Sequence, residues 1–228
     1  MEIEVSGALI HYEEDGSKES PAVLLWNGAS CTLRMWDFVV KELKDEYRFI
    51  RFDVRGTGSS IYQDPDSNLF SLDQYNEDAN RILEQLQIDK VIVWSMAWGS
   101  RAAIAYCSEN AGRVNNAVLH DASIAKADPT AQKEGAKVAV EKQISQGIKK
   151  FEKPANYNLN HQPELVPSAL AAAANFDLSS AINQLSMPVL LVTGDHDPNL
   201  VSSREINKTL VNSSLQVLEN VGHGSVLQ

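Results

Sequence analysis

The run from Val91 to Ala102 sets an apolar stretch against a tight turn of small residues. Its core, Ser95-Met96-Ala97-Trp98-Gly99, has the spacing of a nucleophile elbow, G-x-S-x-G, whose central serine sits on a strained strand-to-helix turn. Ala97 presents a methyl group where that chemistry needs a hydroxyl. Acyl transfer from a hydroxyl also requires an imidazole to carry the proton and a carboxylate to hold the imidazole's tautomer. Both are available. Asp197 lies in Thr193-Gly194-Asp195-His196-Asp197-Pro198, just after the apolar run Val189 to Val192, and His223 lies between two glycines just after Leu215 to Leu218. The order 97, 197, 223 is nucleophile, acid, base, with 26 residues between acid and base. Asp195 and Asp121 are rival acids. His120 and His196 read as structural and loop residues, and Ser95 and Ser100 flank the turn without reaching its tip.

These groups must sit at strand ends. Ile3 to Tyr12 and Ala22 to Trp26 read as strands separated by the polar loop 13–20, and a helix is expected over Met35 to Leu43. Strands follow at Arg48 to Phe52, Lys90 to Val93 and Asn116 to Leu119, with helices at Tyr75 to Leu86 and Ser100 to Ser108. Such alternation implies an α/β fold with a mostly parallel sheet covered by helices on both faces. Strand signals return only at Pro188 to Val192 and Leu215 to Leu218. Residues from about 125 to 181 have none, and read as a helical lid inserted into a single domain spanning 1–228.

Composition narrows the function. A net charge of −10 disfavours nucleic acid, which needs a basic surface. No apolar run is long enough for a membrane span and the N-terminus lacks a leader pattern, so the expectation is a cytoplasmic protein acting on a small molecule. Two distant cysteines, Cys31 and Cys107, indicate neither a disulfide framework nor a zinc site. The segment 126–153 carries seven lysines against four acids, leaving thirteen basic and twenty-six acidic residues elsewhere. That is either a solvated helix face or a patch that steers an anionic substrate. The glycine-rich turn Asp53 to Ser60 lacks the Lys-Ser/Thr of a phosphate loop, and its arginine and aspartate read as braces. Trp26, Trp36 and Trp94 read as core, whereas Trp98 could line an acyl pocket.

Taken together, the segments Leu24-Leu25-Trp26-Asn27-Gly28-Ala29-Ser30 with Trp36, Phe52-Asp53-Val54-Arg55-Gly56-Thr57-Gly58-Ser59-Ser60, the turn at 95–99, the loop 194–197 and the turn at 220–224 resemble the α/β-hydrolase superfamily over nearly the whole chain. Loosely, the resemblance is to small lactonases and esterases such as the 3-oxoadipate enol-lactonase group. It implies an α/β-hydrolase fold hydrolysing a carboxylic ester or lactone through a Ser-His-Asp triad, with no metal or organic cofactor. Position 97 would hold the nucleophile, Asp197 the acid and His223 the base. Backbone N–H groups of Ala29 and Trp98 would form the oxyanion hole, and Gly28 and Trp98 would contact substrate. Carbon–carbon bond hydrolases share the same skeleton.

Ala97 departs from that pattern and leaves three readings: an engineered serine-to-alanine replacement in an otherwise complete hydrolase, a natural ligand-binding or sensor member, or general-base chemistry by His223 without a nucleophile. On each of the first two the chain as written is inactive. A second departure is the end at Gln228, where relatives continue into a helix that covers the sheet. A missing C-terminal helix would expose an apolar face and favour a homodimer.

Overall fold

The computed structural model describes residues 1–64 and 69–228. The chain runs β1 (Glu2–Val5), β2 (Ala8–Asp15), β3 (Ala22–Trp26), α1 (Asp37–Leu43), β4 (Arg48–Phe52), β5 (Ile61–Tyr62) and α2 (Leu72–Gln85). It continues through β6 (Val91–Met96), α3 (Trp98–Glu109), β7 (Val114–His120), α4 (Pro129–Ser145), α5 (Val166–Ala171) and α6 (Leu178–Ile182). It closes with β8 (Val189–Gly194), α7 (Leu200–Thr209) and β9 (Ser213–Leu218). The sheet order is β1-β2-β4-β3-β6-β7-β8-β9, with β5 paired to β2. From β4 to β9 all neighbours are parallel, and β1, β2 and β5 add an antiparallel edge.

Two expectations at the N-terminus need correction. Residues 3–12 form two strands rather than one, because Ser6-Gly7 makes a two-residue hairpin turn, with Val5 opposite Ala8 and Gly7 at φ 71°. The acidic residues Glu13, Glu14 and Asp15, expected in a loop, instead extend β2. Their partners lie across the ladder on β4: Arg48 meets Glu14 at 2.6 Å, and Arg51 meets Glu13 and Asp15 at 2.8 Å each. Opposite charges on paired strands stabilise the pairing, and hydropathy along one strand cannot report them. The helix expected from Met35 begins as a 3-10 turn, Leu33–Trp36, whose Arg34 N–H donates to Thr32 Oγ1, and becomes α-helical only at Asp37.

Alternate residues of the central strands feed two cores. Leu24, Trp26, Val93 and Leu119 face one side with Ile82 and Leu83 of α2, Ala102 to Cys107 of α3 and Ile206 of α7. Val23, Leu25 and Phe49 face the other with Met35, Trp36, Val40 of α1 and Leu227. Leu190 of β8 is 38% exposed. Residues 125–182 hold α4, α5 and α6 and no strand. This helical segment leaves the sheet after β7 and returns to it at β8. Both cysteines are free, and burial raises both thiols, Cys31 to about 11, so neither is poised as a thiolate. Among the described residues no helix is long and apolar enough to cross a membrane.

Candidate active site

The turn at the end of β6 is bent sharply. Ala97 has φ 55° and ψ −110°, outside the wells that L-residues favour, which costs about 1–3 kcal/mol. The β-ladder continues up to the turn, since Ala97 N–H donates to His120 O at 2.8 Å. Helix α3 then starts so close to β3 that a Cβ on Gly99 would lie 2.4 Å from Asn27 O and 2.5 Å from Trp26 O. Only glycine fits there, so the last position of the elbow pattern is dictated by packing. Ser95 and Ser100 lie beneath the turn. Their hydroxyls meet at 3.0 Å, and Ser100 Oγ donates to His120 O at 2.6 Å. Both are fully buried, which removes them from the tip.

The loops after β8 and β9 bring an acid and an imidazole together. Asp197 is 3% exposed; its Oδ1 accepts from Asn199 N–H at 2.9 Å, and its Oδ2 lies 3.0 Å from His223 Nδ1. Among the described residues, Nε2 of His223 meets no partner. Asp195 is turned away: it is exposed, and its Oδ1 accepts from Val221 N–H. Asp121 is drawn in from the end of β7, at φ 52° and completely buried, with Oδ2 accepting from Gly224 N–H at 3.0 Å and Ser225 N–H at 2.8 Å. It thus holds the backbone just past His223. Burial, with the Asp197 carboxylate nearby, pushes the Asp121 carboxyl up to about 7. For His223, burial acts to lower the pKa, but the bond to Asp197 and the charges of Asp197 and Asp121 outweigh it and the net shift is upward. The carboxylates of Asp121 and Asp197 and a ring nitrogen of His223 lie within 4.8 Å of one another, close enough to hold a metal ion. Such an ion would have to compete with the backbone donors on Asp121 and with the His223–Asp197 bond.

The other histidines have local duties. His120 stacks on Trp94, its Nδ1 lies 2.8 Å from Ser225 Oγ, and burial lowers it to about 4. His196 donates its backbone N–H to Val221 O and sits beside Asp195.

The loop after β3 is held from below. Asn27 is turned inward, its Nδ2 donating to Phe52 O and Asp53 Oδ1 and its Oδ1 accepting from Trp36 Nε1. Asp53 Oδ1 also accepts from Leu33 N–H at 2.7 Å and Oδ2 from Ser59 N–H at 3.0 Å, so one buried carboxylate ties this loop to the glycine-rich turn. The same turn is anchored by a fully buried two-pronged pair, Arg55 to Asp78, at 2.8 and 2.7 Å. The result is a fixed position for Ala29. Among the described residues, neither Ala29 N–H nor Trp98 N–H donates to a protein acceptor.

A cavity of about 250 Å³ opens over the turn, and Ala29, Ala97, Trp98 and His223 all line it. Gly28 does not; its N–H donates to Met35 Sδ and it packs on Met96. Helices from the 125–181 segment form the roof. Trp98 Nε1 donates to Leu170 O at 2.8 Å and Tyr75 Oη to Ala169 O at 2.9 Å, while Gln143 of α4 donates to Asn220 O at 2.8 Å. Among these groups Asp121 carried the weakest sequence signal, because it lies in no motif and only the fold brings it beside His223.

The chain matches the family described as alpha/beta hydrolase fold over residues 21–144. It is 22% identical over 233 residues to 3-oxoadipate enol-lactonase 2 of Acinetobacter baylyi, covering 92% of this chain and 85% of that protein. The enol-lactonase structure from Burkholderia xenovorans superposes with a TM-score of 0.78 at 20% identity, covering 98% of this chain and 92% of that one. A serine-to-alanine variant of N-formylmaleamic acid deformylase from Pseudomonas putida gives a TM-score of 0.75 at 20% identity, covering 100% of this chain and 95% of that one.

Proposed function

This chain belongs to the alpha/beta hydrolase fold family, and from that premise we propose that its architecture serves the cleavage of a carboxylic ester or lactone through a serine acyl-enzyme, with Ala97 occupying the nucleophile's position. The observation that carries the reading is Ala97 in a strained backbone at the floor of a cavity whose wall is His223, itself held by buried Asp197. Strain of that kind persists where the surroundings over-determine it, and it aims the side chain outward. With serine at 97, His223 Nε2 takes the Oγ proton as Oγ attacks the carbonyl carbon. The oxyanion of the tetrahedral intermediate accepts from the free N–H groups of Ala29 and Trp98, each of which supplies about 3 kcal/mol in such sites. Collapse returns the proton to the leaving alkoxide, and water repeats the cycle on the acyl-enzyme. Asp197 holds the tautomer throughout. Asp121 is a positioning residue on this reading, fixing the backbone at Gly224 and Ser225. Helices α4 to α6 serve as the lid.

Without a hydroxyl at 97 the chain retains binding and loses the acyl-enzyme route, a loss on the order of 10⁶ in kcat. The test is Ala97→Ser assayed against a panel of esters and lactones. Turnover that rises by several orders of magnitude over the Ala97 form supports the proposal. An Ala97→Ser protein that is folded, binds panel members and turns over none of them refutes it in favour of a ligand-binding or sensor role. A panel that includes vinylogous diketones checks the carbon–carbon hydrolase alternative by the bond broken.

A further inference from the structure

The cavity over Ala97 has a charge asymmetry that ester cleavage does not require. Arg101 and Lys126 line it, and among the described residues no Asp or Glu does. Arg101 stands four residues along α3 from Ala97, an axial rise of about 6 Å. Its Nη1 donates to Ser123 O at 3.4 Å and to Ala125 O at 2.7 Å, which fixes the guanidinium plane against the loop after β7. Among the described residues Arg101 makes no ion pair, and its Nε and Nη2 donors meet no protein acceptor. Other internal arginines are matched: Arg55 has Asp78, Arg48 has Glu14, and Arg51 has Glu13 and Asp15. A guanidinium drawn partly out of water without a counter-charge is costly, and burial lowers the Arg101 pKa accordingly. Its remaining N–H groups form a planar fork, the geometry that receives a carboxylate through two parallel hydrogen bonds.

We propose that Arg101, with Lys126 beside it, binds a carboxylate carried by the ligand in addition to its reacting carbonyl, so that the site selects short acid esters or acid-bearing lactones over neutral ones. The choice among esters and lactones rests on the hydrolase reading, whereas the anion site does not. Ala97 and Arg101 line the same cavity of about 250 Å³, so a short ligand can reach both. Lys126, at the cavity's edge, adds a second positive charge there.

The experiment is direct binding to the protein as it stands, with Ala97 in place. Monomethyl esters of malonate, succinate and glutarate are titrated by NMR against the corresponding dimethyl esters. A charge-assisted bond worth about 1.5–3 kcal/mol corresponds to a preference of roughly 10- to 100-fold for the best monoester. Arg101→Gln should abolish the preference, Arg101→Lys should keep part of it, and Lys126→Ala should reduce it by a smaller factor. Equal binding of mono- and diesters, no binding of any monoester, or a preference that survives Arg101→Gln overturns the proposal. Should Arg101→Gln fail to fold, Arg101→Lys and Lys126→Ala decide: an unchanged preference in both overturns it. A preference for monoesters beside an inert Ala97→Ser variant upholds the anion site while removing the hydrolase reading, so the two failures are distinct.

Discussion

Replacing Ala97 by glycine measures how much strain the elbow stores. At an ordinary buried helical site such as Ala103, which is fully buried in α3, the change costs about 1 kcal/mol in helix propensity and about 0.8 kcal/mol for the lost methyl burial. Ala97 loses a comparable methyl, being 8% exposed, and a similar unfolded-state entropy term. However, glycine tolerates φ 55° without the penalty of about 1–3 kcal/mol that alanine carries there. The two terms nearly cancel at Ala97 and only the cost remains at Ala103. Ala97→Gly should therefore be more stable than Ala103→Gly by about 1–3 kcal/mol. In a chain of this size each kcal/mol shifts the melting temperature by about 2–4 °C, so paired urea and thermal melts resolve the difference. If the two variants lose the same stability, the turn stores no strain and the argument from backbone geometry to a reactive position fails.

Asp197→Asn should lower the His223 pKa by removing its bonded carboxylate, which NMR titration of the imidazole reads directly; in an Ala97→Ser background the same change should cut kcat by roughly 10⁴-fold. An unchanged imidazole pKa would mean that the 3.0 Å contact does not hold in solution. In the same background, kcat/KM should rise with pH through a His223 pKa above 6.5, and a rise centred below 6.5 counts against the upward shift. Asp121 bears on stability against pH: its folded pKa of about 7 exceeds the unfolded value of about 3.9, so its contribution is fully present below that unfolded value and is lost as pH rises through 7. Asp121→Asn should flatten the fall in unfolding free energy between those limits, and denaturant melts showing the parent slope would show that Asp121 is not the group responsible.

Much of the sheet was legible because buried parallel strands read as short apolar runs, and Ala22–Trp26 and Arg48–Phe52 are found at the expected boundaries. The sequence misled where charge imitates a loop. Glu13 to Asp15 pair with arginines that lie 21 or more residues away along the chain, and no local window contains both partners. Asp197 and His223 could be proposed from order and turn chemistry, since each stands directly after a strand. Asp121 stood out only as a rival acid, although its backbone bonds to Gly224 and Ser225 make it a support for the histidine loop. Gly28 was expected at the substrate; its N–H donates to Met35 Sδ, and the cavity's lining does not include it. Arg101 carried no sequence signal because its meaning is negative. Among the described residues it is an arginine without a carboxylate, and only three-dimensional neighbours reveal that.

The central claim is that position 97 is a nucleophile's seat served by His223 and Asp197. Its most direct measurement is intact-protein and peptide mass spectrometry of Ala97→Ser after acid quench from a reaction with p-nitrophenyl acetate, run beside the Ala97 protein. The account predicts one acetyl group on the peptide containing residue 97 in the serine form, strongly diminished by Asp197→Asn, and none there in the Ala97 form. An acetyl group found elsewhere in both proteins, or ester turnover by the serine form with no adduct at residue 97 under conditions that trap acyl-enzymes, would contradict it.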